Sequence, residues 1–360
     1  MKKINVAILC GGKSAEHEVS LHSAKNIFAA IDKKKYNTIL IGIDKKGNWL
    51  INNRSLLLNS NDPKKIKINP KSEKIILVPG EKPKIFYLTK KSFGISLDVI
   101  FPILHGTFGE DGSIQGFLKM LDVPFAGAGV LGSAVGMDKV VMKQLLKEAE
   151  IPVGKFLAFN ASDKLDFQAI GKQLGLPFFI KPANLGSSVG ISKVRNKKEF
   201  QEAVQDAFQY DSKIIIEEFI QGREIECAVL GNDKPNASLP GEVIPTHDFY
   251  SYEAKYLDEN GATMKIPTEL SKKAISEIQE LAVKTFKVLS CEGMGRVDFF
   301  LKSNGEILVN EINTLPGFTS ISMYPKLWQA SGLKYEKLID KLIQLAIERH
   351  KKEKKLKINY

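Results

Sequence analysis

The chain has 360 residues, of which 43% are hydrophobic and 26% are charged, a composition typical of a globular protein with two or three domains. This composition excludes a disordered chain, and no apolar segment is long enough to span a membrane, so no membrane partner is expected. The net charge of +11 could serve a nucleic-acid partner, but Lys-rich stretches at 64–74 and 351–357 carry much of it without a nucleic-acid-binding motif. We therefore predict a solvated basic surface and no nucleic-acid partner.

The three cysteines, Cys10, Cys227 and Cys291, are far apart in the sequence and form neither a disulfide framework nor a CxxC metal pair. Buried thiols in a reducing compartment are expected, which indicates a cytoplasmic protein. The segment ending in Cys10 looks like a lipoprotein signal. Its apolar run is too short, however, and Leu9 stands where cleavage needs a small residue, so a β-strand is predicted instead.

The first elements follow a strand–helix–strand order. The apolar run Ile4–Cys10 ends in Gly11-Gly12, as a buried parallel strand does before a turn. Apolar residues at helical spacing predict a helix over Val19–Ile31, and Asn37–Ile43 is the second predicted strand. This order predicts an α/β unit built on a doubly wound parallel sheet.

The polar, Lys-rich residues 44–97 contain two short apolar runs, 74–78 and 84–88, which predict hairpins or an insertion on the first domain. The remaining predicted elements are a strand over Leu97–Leu104 ending at His105, a helix over Lys139–Glu150, strands at Phe178–Ile180 and Ile214–Glu217 separated by a Gly/Ser-rich loop at 186–190, a helix over Ala274–Leu289, a hairpin of Arg296–Leu301 and Glu306–Ile312, and a helix over Tyr335–Lys351.

The hairpin near the end of the chain carries the most informative pattern. A two-residue turn at Asn304-Gly305 places Asp298 opposite Glu311 and Arg296 opposite Asn313. Two facing carboxylates repel each other and are costly near a core, so a cation is expected between them. Oxygen donors from Asp, Glu and Asn suit Mg²⁺. The alternative is a surface hairpin in which Arg296 pairs with the carboxylates; we favour the metal site.

Two further positions point to a phosphate and an ammonium site. Lys181 ends an apolar strand just before the 186–190 loop, whose backbone N–H groups could surround a phosphate; an ordinary hairpin turn is the alternative. Glu16 stands where the first strand turns into the first helix, beyond the strand end at which α/β sheets bind ligands. It could hold an ammonium group or complement the helix dipole, and position alone leaves both open. His105 stands in the same region, although a lone histidine is more often structural.

Together these residues resemble the D-alanine–D-alanine ligases of the ATP-grasp superfamily over nearly the whole chain. The matching motifs, in chain order, are Gly11–Ser20, His105-Gly106, Gly109–Gly112, Met137-Asp138-Lys139, Lys181-Pro182, Gly186–Gly190, Glu253–Tyr256, Arg296-Val297-Asp298 and Glu311–Gly317. Lys13 and His17 depart from the usual family pattern, but neither has an assigned role.

The resemblance implies an ATP-grasp fold, in which an N-terminal doubly wound parallel-sheet domain is followed by two α+β subdomains that clasp ATP. We expect a Rossmann-like domain at 1–124, a central subdomain at 125–215, and a C-terminal subdomain at 216–360 with the metal and substrate sites. It also implies a homodimer.

The implied activity is the ATP-dependent joining of two D-alanines through a D-alanyl phosphate, which supplies peptidoglycan synthesis. For ATP, the resemblance assigns Lys139 and Lys181 to the phosphates, Glu217, Glu218, Phe219, Ile220 and Phe300 to the adenine, and Glu224 to the ribose. Asp298, Glu311 and Asn313 would hold two Mg²⁺ ions, with Mn²⁺ as a substitute.

The resemblance also assigns the D-alanine sites. Glu16 would bind the first ammonium group, with His105 also in the substrate site, while Arg296 and the Gly317 backbone N–H would stabilise the tetrahedral oxyanion. The remaining assignments are Ser322 and Met323 at the second carboxylate, and a hydrogen-bonded triad of Glu16, Ser187 and Tyr256 that closes a loop over the site.

Other activities remain as alternatives. The enzyme could use D-lactate or D-serine as second substrate, although the resemblance marks Tyr256 as typical of the dipeptide-forming type. Another ATP-grasp carboxylate–amine ligase is a more distant possibility. A nucleotide-binding regulatory protein is disfavoured because Lys181, Arg296, Asp298 and Glu311 are all present.

Overall fold

The computed structural model describes residues 2–51, 66–89, 94–186, 189–245 and 262–357. The described strands are β1 (Ile4–Gly11), β2 (Tyr36–Ile43), β3 (Trp49–Ile51), β4 (Ile75–Val78), β5 (Lys84–Tyr87), β6 (Ile95–Ser96), β7 (Val99–Pro102), β8 (Phe156–Asn160), β9 (Phe178–Pro182), β10 (Ser192–Val194), β11 (Lys213–Glu218), β12 (Arg223–Gly231), β13 (Asn236–Ala237), β14 (Gly241–Pro245), β15 (Ala262–Lys265), β16 (Gly293–Leu301) and β17 (Ile307–Asn313). The described helices are α1 (His17–Ala30), α2 (Ser113–Met120), α3 (Val130–Met137), α4 (Lys139–Glu148), α5 (Phe167–Leu174), α6 (Lys197–Ala207), α7 (Lys272–Val288), α8 (Met323–Ala330) and α9 (Tyr335–Glu353).

The first sheet has the strand order β3-β2-β1-β7, and β1 pairs in parallel with both β2 and β7. β1 is apolar from Val6 to Cys10 because both of its faces are buried. Helix α1 packs its apolar stripe against this sheet. The predicted strand–helix–strand unit is therefore confirmed. The predicted hairpin within 44–97 is also confirmed, since β4 and β5 pair in antiparallel fashion in a small sheet with β6.

The second sheet has the order β10-β9-β11-β8, with antiparallel neighbours and with α5 and α6 packed on it. Its strand β11 extends to Glu218 and pairs with β9 over its last residues. The boundary expected between 215 and 216 therefore falls inside a strand. Residues 216–218 belong to the second sheet, because Glu217 and Glu218 hydrogen-bond into it through the β9 ladder.

The third sheet has the order β15-β14-β12-β16-β17, with β13 paired to β12. Helix α7 covers one face through the buried side chains Ile278, Ala282 and Phe286. The β16–β17 hairpin forms one side of this sheet, so the carboxylates predicted to bind metal are carried on a packed scaffold. No helix in the described ranges is both long and apolar enough to cross a bilayer.

The last helix, α9, returns to the first sheet, whereas α8 packs on β12 of the third sheet. Leu338 and Leu342 of α9 are buried in one core with Val6 and Ile8 of β1. Arg349 strengthens this attachment, since its guanidinium donates to the carbonyl oxygens of residues 125 and 127 at 2.9 and 2.7 Å. The chain that connects the third sheet to α8, 314–322, lies against His105, which follows β7, and against Ser23 of α1.

Candidate active site

The β16–β17 hairpin brings together the residues that the sequence placed opposite one another. Asp298 pairs with Glu311, and Arg296 pairs with Asn313. Because side chains alternate along a strand, all four point to the same face of the sheet. The predicted pairing is confirmed.

The turn that produces this pairing differs from the predicted one. Lys302 N donates to Glu306 O at 2.9 Å, so the loop contains three residues, Ser303–Gly305, and Gly305 takes a positive φ of 89°. Compared with the predicted two-residue turn, the longer loop shifts the strand register by one residue, so Phe299 pairs with Val309. A bulge at Asn310 then shifts it back before Asp298. The two differences cancel.

Arg296 is the cation at the centre of this face. Its Nε and Nη2 donate to the two Asp298 carboxylate oxygens, each at 2.7 Å, and its Nε lies 2.9 Å from Glu226 Oε2. Burial disfavours the charged guanidinium, but the two carboxylates raise its pKa well above the ordinary value. The alternative interpretation of the hairpin, in which Arg296 pairs with a carboxylate, thus holds for Asp298. Sequence reasoning missed Glu226, which faces Asp298 from β12.

Lys139 lies near the second carboxylate of the hairpin. Asp138 caps α4 by accepting from the backbone N–H groups of Val140 and Val141, both at 3.1 Å, which fixes Lys139 in the first turn. The buried ammonium donates to Leu185 O at 2.6 Å and lies 3.8 Å from Glu311 Oε2. The start of α4 therefore presents a cation to the sheet face that carries Asp298 and Glu311.

Lys181 takes part in a second charged cluster. It projects from the same face of the second sheet as Glu217, because Lys181 pairs with Ile215, two residues before Glu217. Glu217 Oε2 lies 2.6 Å from Lys181 Nζ, and Oε1 lies 2.8 Å from Lys143 Nζ. Burial opposes its charge, but the two ammonium groups hold the pKa of Glu217 far below its usual range. Sequence reasoning missed Lys143.

The other residues expected around the adenine and the ribose lie at the end of β11, just beyond it, and on β12 and β16. Glu218 Oε1 accepts from Lys155 N at 2.7 Å, whereas the Phe219 ring is partly exposed, with Lys193 Nζ 4.3 Å from its centroid. Ile220 follows on the same connection. Glu224 and Phe300 are direct partners across β12 and β16, and they belong to the same cavity as the hairpin carboxylates.

His105 has both ring nitrogens engaged within the protein. Its Nδ1 donates to Leu315 O at 3.0 Å, because a carbonyl can only accept, and its Nε2 lies 3.2 Å from Ser23 Oγ. Burial lowers its pKa. This neutral histidine therefore ties a strand end of the first sheet to the 314–322 connection, and only its carbon edge is left for a substrate.

Glu110 is a buried acid that sequence reasoning did not single out. Its oxygens accept from Gly106 N at 2.8 Å and from Leu315 N at 3.3 Å. Burial, followed by the negative charge of Glu16, raises the pKa of Glu110 to about 8. Glu16 is itself buried, and a Cβ placed on Gly106 would lie 2.6 Å from Glu16 Oε2. Two acids therefore share the pocket at the end of β1.

The raised pKa of Glu110 predicts a pH-dependent stability. The folded chain retains a proton that the unfolded chain loses between about pH 4.5 and pH 8, so the free energy of unfolding should fall as the pH rises through that window. A one-unit pKa difference corresponds to about 1.4 kcal/mol, and we expect Glu110→Gln to remove at least that much of the fall. Urea unfolding at pH 5, 7 and 9 measures it. The neighbouring Asp111→Asn should retain the wild-type slope; an unchanged slope in Glu110→Gln would contradict the assignment.

Ser322 and Gly317 lie next to each other at the start of α8. A Cβ on Gly317 would be 2.7 Å from Ser322 Oγ, so only glycine fits without displacing the serine. Ser322 Oγ accepts from Thr319 N at 2.9 Å. Met323 begins α8, whose first backbone N–H groups form a site suited to a carboxylate.

One cavity collects most of the predicted residues. It is lined by Glu16, His105, Lys139, Glu224, Arg296, Asp298, Phe300, Glu311, Asn313, Gly317, Ser322 and Met323, together with Glu110 and Glu226. Lys181 and Glu217–Ile220 are not among its lining residues. Ser187 and Tyr256 lie outside the described residues.

Comparisons with known proteins identify the family. A family model described as D-ala D-ala ligase N-terminus matches residues 5–128, and one described as D-ala D-ala ligase C-terminus matches 145–344. The chain is 57% identical to a D-alanine--D-alanine ligase of Oceanobacillus iheyensis, covering 99% of this chain and 98% of the relative.

Solved structures agree with this match. The D-alanine-D-alanine ligase from Coxiella burnetii superposes with a TM-score of 0.88 at 41% identity, covering 99% of this chain and 97% of that one. The VanG D-Ala:D-Ser ligase from Enterococcus faecalis gives a TM-score of 0.84 at 36% identity, covering 96% and 100%. The chain therefore belongs to the D-alanine–D-alanine ligase family, as its motifs predicted.

Proposed function

We propose that this protein is an ATP-dependent ligase that joins two D-alanines into D-alanyl-D-alanine for peptidoglycan precursor synthesis. The observation that carries the proposal is one cavity that is lined by Arg296, by the Asp298–Glu311 pair and by Ser322 and Met323 at the start of α8. Its lining thus includes oxygen donors of the kind that Mg²⁺ prefers, a cation held by hydrogen bonds, and a helix start whose backbone N–H groups attract anions. The high identity to a relative of that name over nearly the whole chain supports the same activity.

ATP would lie between the second and third sheets, the two clasping subdomains of an ATP-grasp fold. Lys139 and Lys181 hold its phosphates. Their ammonium groups support this role, because they lie beside Glu311 and Glu217, respectively, where a cation is available for an anionic ligand. The paired Glu224 and Phe300 contact the ribose and the adenine, and the segment Glu217–Ile220 borders the adenine.

The metal site fits Mg²⁺ in the chemistry of its donors. Asp298, Glu311 and Asn313 each carry a side-chain oxygen on one sheet face, and Mg²⁺ would complete such a set with phosphate oxygens and water. Mn²⁺ accepts the same donors. Within the described ranges no three His, Cys, Asp or Glu side chains are grouped to hold a metal by themselves, so we place two ions only together with the nucleotide. When bound, they offset the charge of the phosphates.

In the proposed reaction, the carboxylate of the first D-alanine attacks the γ-phosphate of ATP to give D-alanyl phosphate and ADP. The amine of the second D-alanine then attacks the acyl carbon, and phosphate leaves. Glu16 holds the first ammonium group. Arg296 and the Gly317 backbone N–H stabilise the tetrahedral oxyanion, because a preorganised cation and a backbone donor lower the energy of the developing charge.

The second D-alanine binds through its carboxylate at Ser322 and Met323, where the helix start supplies backbone donors. By family resemblance, Ser187 and Tyr256 join Glu16 in a triad that closes the site and excludes water from the acyl phosphate. The same resemblance supports a homodimer, which light scattering would test. It also supports a cytoplasmic location, as do the three buried free thiols.

The test is ADP release from Mg-ATP by the purified protein, with identification of the product. D-alanine alone, L-alanine alone, and D-alanine with D-lactate or D-serine are compared. Release with D-alanine that is matched by D-alanyl-D-alanine and absent with L-alanine is the expected result. A product containing mainly D-lactate or D-serine would reassign the second substrate, and no D-alanine-dependent release from folded, ATP-binding protein would overturn the proposal.

A further inference from the structure

Lys143 is a buried lysine that the proposed reaction does not use. It lies one helical turn after Lys139 on α4, so both side chains leave the same face of the helix. Its side chain is 3% exposed and does not line the active-site cavity. Its ammonium lies 2.8 Å from Glu217. A buried charge of this kind is costly unless it is paired, so its purpose must be sought in the pair.

Two lysines share one carboxylate at Glu217. Two buried ammonium groups, those of Lys143 and Lys181, share one carboxylate at 2.8 and 2.6 Å. Glu311 and Glu224 also attract Lys181, but from the third sheet. Lys181 therefore has carboxylates on two sides, whereas Lys143 lies against Glu217 on the side away from the cavity.

The two lysines have different tasks in this arrangement. Lys181 can turn from Glu217 toward a phosphate only if Glu217 keeps another cation, because a buried carboxylate left alone is strongly destabilised. Lys143 is that cation. Without it, Glu217 and Lys181 would form a closed one-to-one pair whose charges cancel, and the phosphate would have to compete with Glu217 for Lys181.

We propose that Lys143 is a positioning residue that neutralises Glu217 and thereby releases Lys181 to bind the nucleotide phosphates. This inference rests on the proposed ATP-dependent function. It assigns Lys143 a role in nucleotide affinity without any contact between Lys143 and the nucleotide. It also predicts that removing the Glu217 charge compensates for removing the Lys143 charge.

The experiment measures equilibrium binding of ATP by calorimetry, together with the separate KM values for ATP and D-alanine. Lys143→Met should weaken ATP binding at least about tenfold and raise the KM for ATP, with the KM for D-alanine unchanged. Lys143→Met/Glu217→Gln should restore most of the affinity, since the Gln amide keeps the size of Glu and one oxygen acceptor. Lys147→Met, which removes an exposed charge one turn further along α4, is the matched control and should bind like the wild type.

A purely structural role predicts that the double variant binds no better than Lys143→Met, and that result would overturn the inference. Unchanged affinity in Lys143→Met would do the same. If Lys143→Met does not melt cooperatively, the comparison of Lys143→Met/Glu217→Gln with Glu217→Gln decides. Once the Glu217 charge is absent, removing the Lys143 charge should change ATP affinity by less than about threefold, and a further loss of about tenfold would contradict the inference. Wild-type protein that does not bind ATP would instead overturn the proposed function.

Discussion

Arg296→Met is expected to lower kcat for D-alanyl-D-alanine formation by about 10²–10³-fold while ATP still binds. Arg296 is fixed by two hydrogen bonds to Asp298 and a contact with Glu226, so it needs little reorganisation when the oxyanion forms. Single-turnover kinetics with D-alanine would measure the chemical step, and ATP binding by calorimetry would separate it from nucleotide affinity. Near-normal turnover would remove Arg296 from the oxyanion site.

A second effect must be separated from the first, because Arg296 also neutralises two carboxylates. Glu226→Gln alone should be folded and active, since Gln keeps the side-chain shape. Arg296→Met/Glu226→Gln removes one acid together with the cation. If Arg296 acts on the oxyanion, this double variant stays as slow as Arg296→Met. Recovery of the rate in the double variant would show that Arg296 mainly balances charge.

Glu311→Gln is expected to raise the Mg²⁺ concentration required for half-maximal activity at least about tenfold, and to lower kcat/KM for ATP. The amide replaces a charged oxygen donor with a neutral one, and it also removes the anion 3.8 Å from Lys139. Titration of activity with Mg²⁺ and with Mn²⁺ measures the effect. The control is Glu306→Gln, an exposed glutamate of the same hairpin that pairs with Lys302. An unchanged metal requirement in Glu311→Gln would exclude it as a ligand.

The β16–β17 hairpin shows how much of the site can be predicted from local sequence alone. Alternation along two strands joined by a short turn is enough to place Asp298 opposite Glu311, because all the information lies within about twenty residues. The turn length was wrong by one residue, since Gly305 occupies a left-handed position in a three-residue loop rather than in a two-residue turn. The compensating bulge at Asn310 is not marked by any local pattern in the sequence.

The missed residues depend on contacts between distant segments. Glu226 reaches Arg296 only through the register of β12 with β16, which is separated from it by about seventy residues of chain. Glu110 lies among glycines, where no helical or strand period marks a buried position. Lys143 did carry a signal, because it shares the helix face of the buried Leu146 and lies one turn from Lys139. A lysine on an apolar face is worth testing for a buried partner.

The joining of α9 to β1 in one core also affects how the protein is made. A ribosome adding about 5–20 residues per second releases β1 and α1 roughly 15–60 s before Leu338 and Leu342 have been synthesised. During that interval the apolar surface that α9 will cover faces water or a chaperone. The 314–322 connection, which closes the substrate cavity, is also made late. The substrate cavity of a nascent chain is therefore incomplete until nearly all of its folding contacts are available.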